Sequence, residues 1–276
     1  MDDKTEKSIV NRLRSAGCVF AEEEAQILIS EAHSLDDLNQ KVKMRADGLP
    51  LEYVIGWAEF CGLRIEVEQG VFVPRKRTEF LVRQAADLSC SGDIVVDLCC
   101  GSGAVGAALA ATLGGISLYC ADIDPVAIRC TRRNVTDFRD YIFEGDLYNA
   151  LPQSIKGHIN LLVANVPYVP TKAIDMLPME ARLYEPKLAL DGGDDGLNIQ
   201  RMVAEEAPYW LAAGGQLLIE TSEIQAPQTF EIFTNAGLTT NVVRDLELDA
   251  TVVIGTNNAF LNDWQQDCDL YLKKYR

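Results

Sequence analysis

Apolar positions along this chain follow three periods in succession, and each change of period marks a change of structure. Residues 4–16 carry Ile9, Val10 and Leu13 on one side, which predicts a helix stopped at Gly17. Residues 21–32 repeat the spacing with Ala25, Leu28, Ile29 and Ala32. Ser34, with Asp37 three residues on, reads as the N-cap of a third helix striped by Leu35, Leu38 and Val42. Gly48-Leu49-Pro50 closes that segment. The period then falls to two. Glu59-Phe60-Cys61-Gly62 and Leu63-Arg64-Ile65-Glu66-Val67 alternate as a half-exposed hairpin does. Gly70 and Pro74 punctuate the chain beyond it. Thr78 is expected to cap a helix that turns Phe80, Leu81, Ala85 and Leu88 inward.

From there strand and helix patterns alternate. Strands are predicted over 94–98, 117–121, 141–143, 159–164 and 216–219, and helices over 104–113, 125–135, 199–211 and 224–236. Pro125 suits the first turn of its helix. Residues 238–243 and 251–254 read as a closing antiparallel pair, and 258–276 as a terminal helix burying Phe260, Trp264, Leu270 and Leu272. Repeated βαβ units imply an α/β fold with a doubly wound, Rossmann-like sheet. The expected organisation is an N-terminal helical domain over 1–48, a β-hairpin linker over 49–73 and the α/β domain over 74–276.

Bulk properties narrow the function. A chain of 276 residues, 48% hydrophobic, suits one large domain with a small appendage. No apolar run approaches the roughly 20 residues that span a bilayer. The start, Met1-Asp2-Asp3-Lys4, lacks signal-peptide character, so a cytoplasmic protein without membrane partners is expected. A net charge of −16 repels polyanions over most of the surface and disfavours nucleic acid as partner. Arg129, Arg132 and Arg133 fall late in a helix, where the dipole favours cations. The eight cysteines form no Cys-x-x-Cys pair, and His33 and His158 are far apart, so no metal site is expected. Cys90, Cys99 and Cys100 lie near apolar strands and are expected as reduced core thiols.

The candidate chemistry sits where strands end. Asn165-Val166-Pro167-Tyr168 follows the buried strand 159–164, at the sheet edge where open α/β folds bind ligands. The Asn165 oxygen and the Val166 carbonyl can accept both hydrogens of a planar NH2, Pro167 stiffens the turn, and Tyr168 can cover the plane. The tetrapeptide resembles the Asn-Pro-Pro-Tyr signature of methyltransferases acting on amide or exocyclic amino nitrogens. A second cluster, Asp97-Leu98-Cys99-Cys100-Gly101-Ser102-Gly103-Ala104-Val105-Gly106, joins strand to helix, and Asp122 ends the next strand. Gly101-x-Gly103-x-x-Gly106 with Asp122 fits a dinucleotide site. Asp97-x-Cys99-x-Gly101-x-Gly103 instead resembles the S-adenosylmethionine loop. Asp97 separates the two readings: a carboxylate there suits the cationic methionine end and crowds a pyrophosphate. Asp122 suits ribose hydroxyls, with Ile123 beside it, while Asp146 and Leu147 suit the adenine end. Together the set favours S-adenosyl-L-methionine, with Asn165 bordering both halves.

A wider resemblance covers about 49–254. Leu49-Pro50-Leu51-Glu52-Tyr53-Val54-Ile55-Gly56, Gly70-Val71-Phe72-Val73-Pro74-Arg75 with Thr78-Glu79, and Tyr184-Glu185-Pro186-Lys187-Leu188-Ala189-Leu190-Asp191-Gly192-Gly193 resemble motifs of the HemK/PrmC family, the protein-(glutamine-N5) methyltransferases. The resemblance implies a class I S-adenosylmethionine-dependent methyltransferase fold over 74–276. It also implies methyl transfer to a glutamine amide of a protein, with a peptide chain release factor the leading substrate. Arg75 and Glu79 would either shape the site or form a structural ion pair. The chain departs from the family pattern at Cys99 (usually glycine), at Val166 (the first proline), at Lys76-Arg77 (a Pro-Glu-like pair) and at Glu220-Thr221-Ser222-Glu223 (a glycine-containing strand end). Its N-terminal helical segment is also shorter. Three alternatives stay open on the residues alone: a methyltransferase acting on adenine N6 or another exocyclic amine of nucleic acid, a NAD-dependent oxidoreductase, and a cofactor-binding module without turnover.

Overall fold

The computed structural model describes residues 3–258. Three helices open the chain: α1 (Asp3–Ser15), α2 (Ala21–Ser30) and α3 (Leu35–Ala46), followed by the single turn α4 (Leu51–Ile55). Their apolar stripes close on one another, with Leu13, Ala25, Leu28, Leu38 and Val42 buried in a core of their own. The Ser34 hydroxyl accepts the Asp37 amide and so caps α3, while the Asp37 carboxylate accepts the His33 amide one residue before the cap. Leu35 is exposed because α3 begins at that residue, and the buried stripe starts one turn later. The expected hairpin follows as β1 (Trp57–Phe60) and β2 (Leu63–Glu66).

The remaining elements alternate. They are α5 (Glu79–Asp87), β3 (Ile94–Leu98), α6 (Ala104–Leu113), β4 (Ser117–Asp122), α7 (Pro125–Asn134), β5 (Ile142–Glu144), β6 (Ile159–Ala164) and α8 (Met179–Tyr184), then α9 (Asn198–Trp210), β7 (Leu211–Thr221), α10 (Ala226–Asn235), β8 (Thr239–Asp245) and β9 (Ala250–Thr256). The seven-stranded sheet has the order β5-β4-β3-β6-β7-β9-β8. Strands β3 to β7 pair in parallel, and β9 runs antiparallel to both its neighbours. Helices cover both faces. Val95, Leu118 and Leu161 meet Leu81 and Leu109 on one side. Val96, Leu162 and Ile219 meet Val203, Ala207 and Phe233 on the other. Strand β7 starts earlier than its apolar run suggests, because Leu211 pairs with Ile159 before the register shifts and Gln216 pairs with Leu161. Leu88 is exposed, since α5 ends one residue before it. Cys90 is exposed too: it lies in the turn ahead of β3 and donates its amide to Asp93. Apart from Asn258, the terminal helix expected over 258–276, with Phe260, Trp264, Leu270 and Leu272, lies outside the described residues. Among the described residues no helix is long and apolar enough to cross a membrane.

The sheet order reverses between β3 and β6, and their register places Leu98 opposite Ala164. The loops leaving those two residues therefore start side by side at the switch point, where a crevice opens.

One buried ion cluster ties the N-terminal helices to this region. Arg45 donates to both oxygens of Glu24, at 2.6 and 3.0 Å, and its Nη1 donates to Glu180 on α8 at 2.6 Å. Tyr184 reaches the Asp47 carbonyl from the same short helix. Removing one partner of a buried pair strands the other charge. Arg45→Met should lower the unfolding free energy by about 3 kcal/mol in urea titrations. Adding Glu24→Leu should restore most of that loss.

Candidate active site

The first wall of the crevice is the turn after β3. Backbone φ is positive at Cys99 (+58°), Gly101 (+56°) and Gly103 (+77°). At Gly103 a Cβ would come within 2.7 Å of the Thr131 side chain on α7, so only glycine fits. Cys99 holds a left-handed conformation at a cost of about 1 kcal/mol, which accounts for the glycine usual there in the family pattern. Asp97 is 2% exposed and accepts the Gly106 amide at 2.8 Å, which ties β3 to α6. Asp122 accepts the Gly101 amide at 2.8 Å and the Asp124 amide at 2.9 Å, so it holds the turn against the end of β4. Ile123 is half exposed beside it. Asp146 and Leu147 follow β5. Asp146 sits where a cap would, yet makes no capping bond, and Leu147 has a φ of +46°.

The second wall is the corner after β6. Asn165 Nδ2 donates to Thr78 Oγ1 at 3.3 Å, which leaves Asn165 Oδ1 as the open acceptor. Thr78 therefore orients an amide, where a helix cap was expected: its own backbone is already helical and its hydroxyl caps nothing. Val166 is buried, and within the described residues neither its amide nor its carbonyl is hydrogen-bonded. The Tyr168 carbonyl accepts Gln225 Nε2 at 2.9 Å, and its hydroxyl accepts Arg77 Nη2 at 2.6 Å. The long loop after β6 returns onto this corner, as Val169 bridges Asp191 and the Gly196 backbone presses on the Tyr168 carbonyl, where a Cβ would stand 2.3 Å away. Arg75 does not pair with Glu79. It grips both oxygens of buried Glu185 at 2.6 Å, joining two of the motifs singled out in the sequence across 110 residues. Glu79 instead accepts the Cys61 amide and Lys76.

Between the walls lies a cavity of about 560 Å³. Asp97, Cys99, Gly101, Asp122, Ile123, Asp146, Leu147, Asn165, Val166, Pro167 and Tyr168 all line it. Gly103 stands behind the turn, at the N-terminus of α6. Thr78, Arg75 and Arg77 line it as well, and so do Pro178, Glu180 and Leu188 from the loop after β6. Thr78 carried a sequence signal, its place beside Glu79 in the resembling motif. Gln225 carried none.

Burial pushes the Asp97 carboxyl up to about 7, against the Gly106 amide, which favours ionisation; the Asp122 charge adds to the rise. Asp122 is raised for the same first reason, partly offset by the backbone amides of Asp124, Gly101 and Ile123. Burial and then the Glu220 charge push Tyr168 up to about 12, although Arg77 opposes them, so near neutral pH it is an uncharged phenol. Burial raises Cys99 far above the thiol range, so it is an inert wall.

The Asp97 shift has a sign that stability measurements can read. Its folded pKa lies above the unfolded value of about 3.9. The protonated form's advantage is complete below about pH 4 and lost as the pH rises to about 7, at about 1.4 kcal/mol per pH unit. Asn at this position still accepts the Gly106 amide but cannot ionise. Asp97→Asn should therefore gain about 2–3 kcal/mol relative to the wild type between pH 5 and pH 7. Urea denaturation of the ligand-free proteins at both pH values measures it, and a constant difference would mean Asp97 is already ionised at pH 5.

Residues 62–193 match the family model described as "Methyltransferase small domain". The release factor glutamine methyltransferase of Geobacter sulfurreducens is 37% identical over 198 residues, covering 71% of this chain and 69% of the relative. The Streptomyces coelicolor protein of the same name is 35% identical, covering 74% and 76%, and that of Thermodesulfovibrio yellowstonii is 32% identical, covering 81% of each. A methyltransferase from Pyrococcus furiosus shares the fold, with a TM-score of 0.54 at 15% identity over 71% of this chain and 89% of its own. Four observations thus agree: a parallel sheet closed by an antiparallel strand, an acidic residue at the end of each of its first two strands, an Asn-x-Pro-Tyr corner at the switch point, and relatives above 30% identity over most of the chain. The chain belongs to the release factor glutamine methyltransferase (HemK/PrmC) family, and it is an enzyme whose cofactor is S-adenosyl-L-methionine.

Proposed function

We propose that this enzyme methylates the side-chain amide nitrogen, N5, of a glutamine in a peptide chain release factor. The observation that carries the reading is the Asn165 corner. Thr78 takes the Asn165 NH2, so Oδ1 is left to accept, next to a Val166 carbonyl with no partner among the described residues. Two acceptors side by side, with an aromatic face beyond them, suit an NH2 on a planar amide. The names of the relatives above supply the protein and the residue type. The net charge of −16 weighs against nucleic acid as the acceptor.

The cavity's own groups suit the cofactor. Asp97 would face the cationic amino group, Asp122 the ribose hydroxyls, and the uncapped Asp146 the adenine amino group, with Leu147 and Ile123 as apolar cover and Cys99 and Gly101 as the open turn between them. S-adenosyl-L-methionine supplies a sulfonium methyl that is displaced in line, with the C–S bond breaking as the N–C bond forms. An amide nitrogen is a weak nucleophile because its lone pair is delocalised. Asn165 Oδ1 and the Val166 carbonyl would hold its two hydrogens, aim the nitrogen, and stabilise the positive charge that grows on it. Tyr168 stays protonated and acts as a cover rather than a base. The proton leaves nitrogen for solvent once the methyl has transferred, so no strong base is needed.

Intact-mass analysis of a release factor incubated with enzyme and cofactor should show the gain of one methyl group, mapped to a glutamine, while duplex DNA should gain none. Asn165→Ala should cut kcat about a hundredfold or more and leave cofactor affinity unchanged by calorimetry. Turnover at the wild-type rate in that variant would remove the assignment. Thr78→Val keeps the shape and loses the hydroxyl, so kcat should fall about tenfold through the freed Asn165 amide.

A further inference from the structure

Three departures from the family pattern lie far apart in sequence, and the fold brings them together. Val166 replaces the first proline of the corner, Arg77 stands in a Pro-Glu-like pair, and Glu220 opens the altered end of β7. Arg77 Nη2 donates to the Tyr168 hydroxyl at 2.6 Å, and Arg77 Nε donates to Glu220 Oε1 at 3.1 Å. The same Glu220 oxygen lies 3.5 Å from the Tyr168 hydroxyl. The Glu220 side chain is 2% exposed and that of Arg77 44%, so the pair joins a buried carboxylate to a partly exposed guanidinium. Its second oxygen is buried without a partner among the described residues, so Arg77 and the Tyr168 hydroxyl meet the carboxylate through Oε1.

We propose that Arg77 and Glu220 clamp the Tyr168 hydroxyl and thereby supply the rigidity that a proline at 166 would give the corner. Arg77 is then a positioning residue for methyl transfer. This rests on the Asn165–Tyr168 corner being the acceptor site. A proline ring fixes φ, whereas valine leaves φ at 166 to be set by packing. In this chain Pro167 fixes one residue of the corner, Gln225 holds the Tyr168 carbonyl, and the ring's far end would swing about its χ angles without a third point. The clamp is that point. It also commits the hydroxyl, so that Tyr168 offers the cavity a ring face rather than a donor.

The test uses the full-length enzyme with a release factor. Removing Arg77 alone would strand Glu220, so the clamp is removed as the pair Arg77→Met/Glu220→Gln, which leaves no buried charge. That variant should lose about tenfold in kcat, with KM and cofactor affinity little changed. Adding Tyr168→Phe should cost nothing further, whereas Tyr168→Phe alone should cost about as much as losing the clamp. Adding Val166→Pro to the clampless pair should restore most of kcat, since the Val166 amide donates no bond that proline would break. Unchanged kcat in the clampless variant overturns the proposal, as does a Tyr168→Phe loss that multiplies with it, or no recovery with Val166→Pro. A second readout needs no substrate. With fluorotyrosine incorporated, and the 168 signal assigned by Tyr168→Phe, the 19F resonance should shift and broaden in the clampless pair and narrow again with Val166→Pro; an unaltered resonance also overturns the clamp. Failure of the underlying reading looks different: Asn165→Ala keeps its turnover while the 19F response of Tyr168 persists.

Discussion

The parallel pairing of β3 with β6 is the constraint on which the rest depends. Neighbouring strands lie about 4.8 Å apart, and the register sets Leu98 beside Ala164. The cofactor turn and the Asn165 corner therefore leave the sheet from adjacent positions and in the same direction. Every other strand of the parallel set, and both helical layers, serve to hold that register. A slip of one residue would turn Asp97 to the opposite face and put Leu98 where the carboxylate stands. The site's geometry is thus a property of strand pairing before it is a property of any one side chain.

Around this pairing the chain keeps several groups in states that folding alone would not select. Asp97 is a carboxyl in a dry environment, and ionising it works against the fold. Cys99 and Leu147 occupy left-handed backbone conformations without being glycine. Val166 leaves its carbonyl without a partner among the described residues, although the residue is buried. All four line one cavity. Strain and unmet polarity gathered at one place fit a site whose missing partners arrive with its ligands.

Much of this was legible in the sequence because it is local. The runs at 94–98 and 159–164 are buried on both faces and bounded by turn residues, so strand type and both ends could be read directly. The turn at Asp97–Gly103 and the corner at Asn165–Tyr168 are each contiguous, so both could be picked out as candidates before the fold brought them to one cavity. What escaped is what the chain joins over distance. Thr78 looks like a cap from its neighbours and serves an amide 87 residues away. Arg75 has Glu79 four residues on, yet its partner is Glu185. Arg45 carries no local signal for Glu180, 135 residues further along. Periodicity reports which face is buried, but it does not report which polar group on one buried face will meet which on another.

Those long-range polar pairs have a common destination. Arg75 with Glu185, Arg45 with Glu180, and Arg77 with Tyr168 and Glu220 each end on a residue in or beside the cavity. They start from two places: the segment leading into α5, which carries Arg75 and Arg77, and the N-terminal helices, which carry Arg45. A loop of more than twenty residues after β6 has little regular structure of its own, only short turns and α8. Loops of that length hold one shape only when other elements fix them. Charged pairs suit that task, because a guanidinium fork sets direction as well as distance. The apolar core positions the sheet, and arginines anchored from outside position the loop that closes over its edge. That division explains how the N-terminal helices, with a core of their own, can still bear on the site: through Arg45 and Asp47 they hold the short helix α8, whose Glu180 lines the cavity.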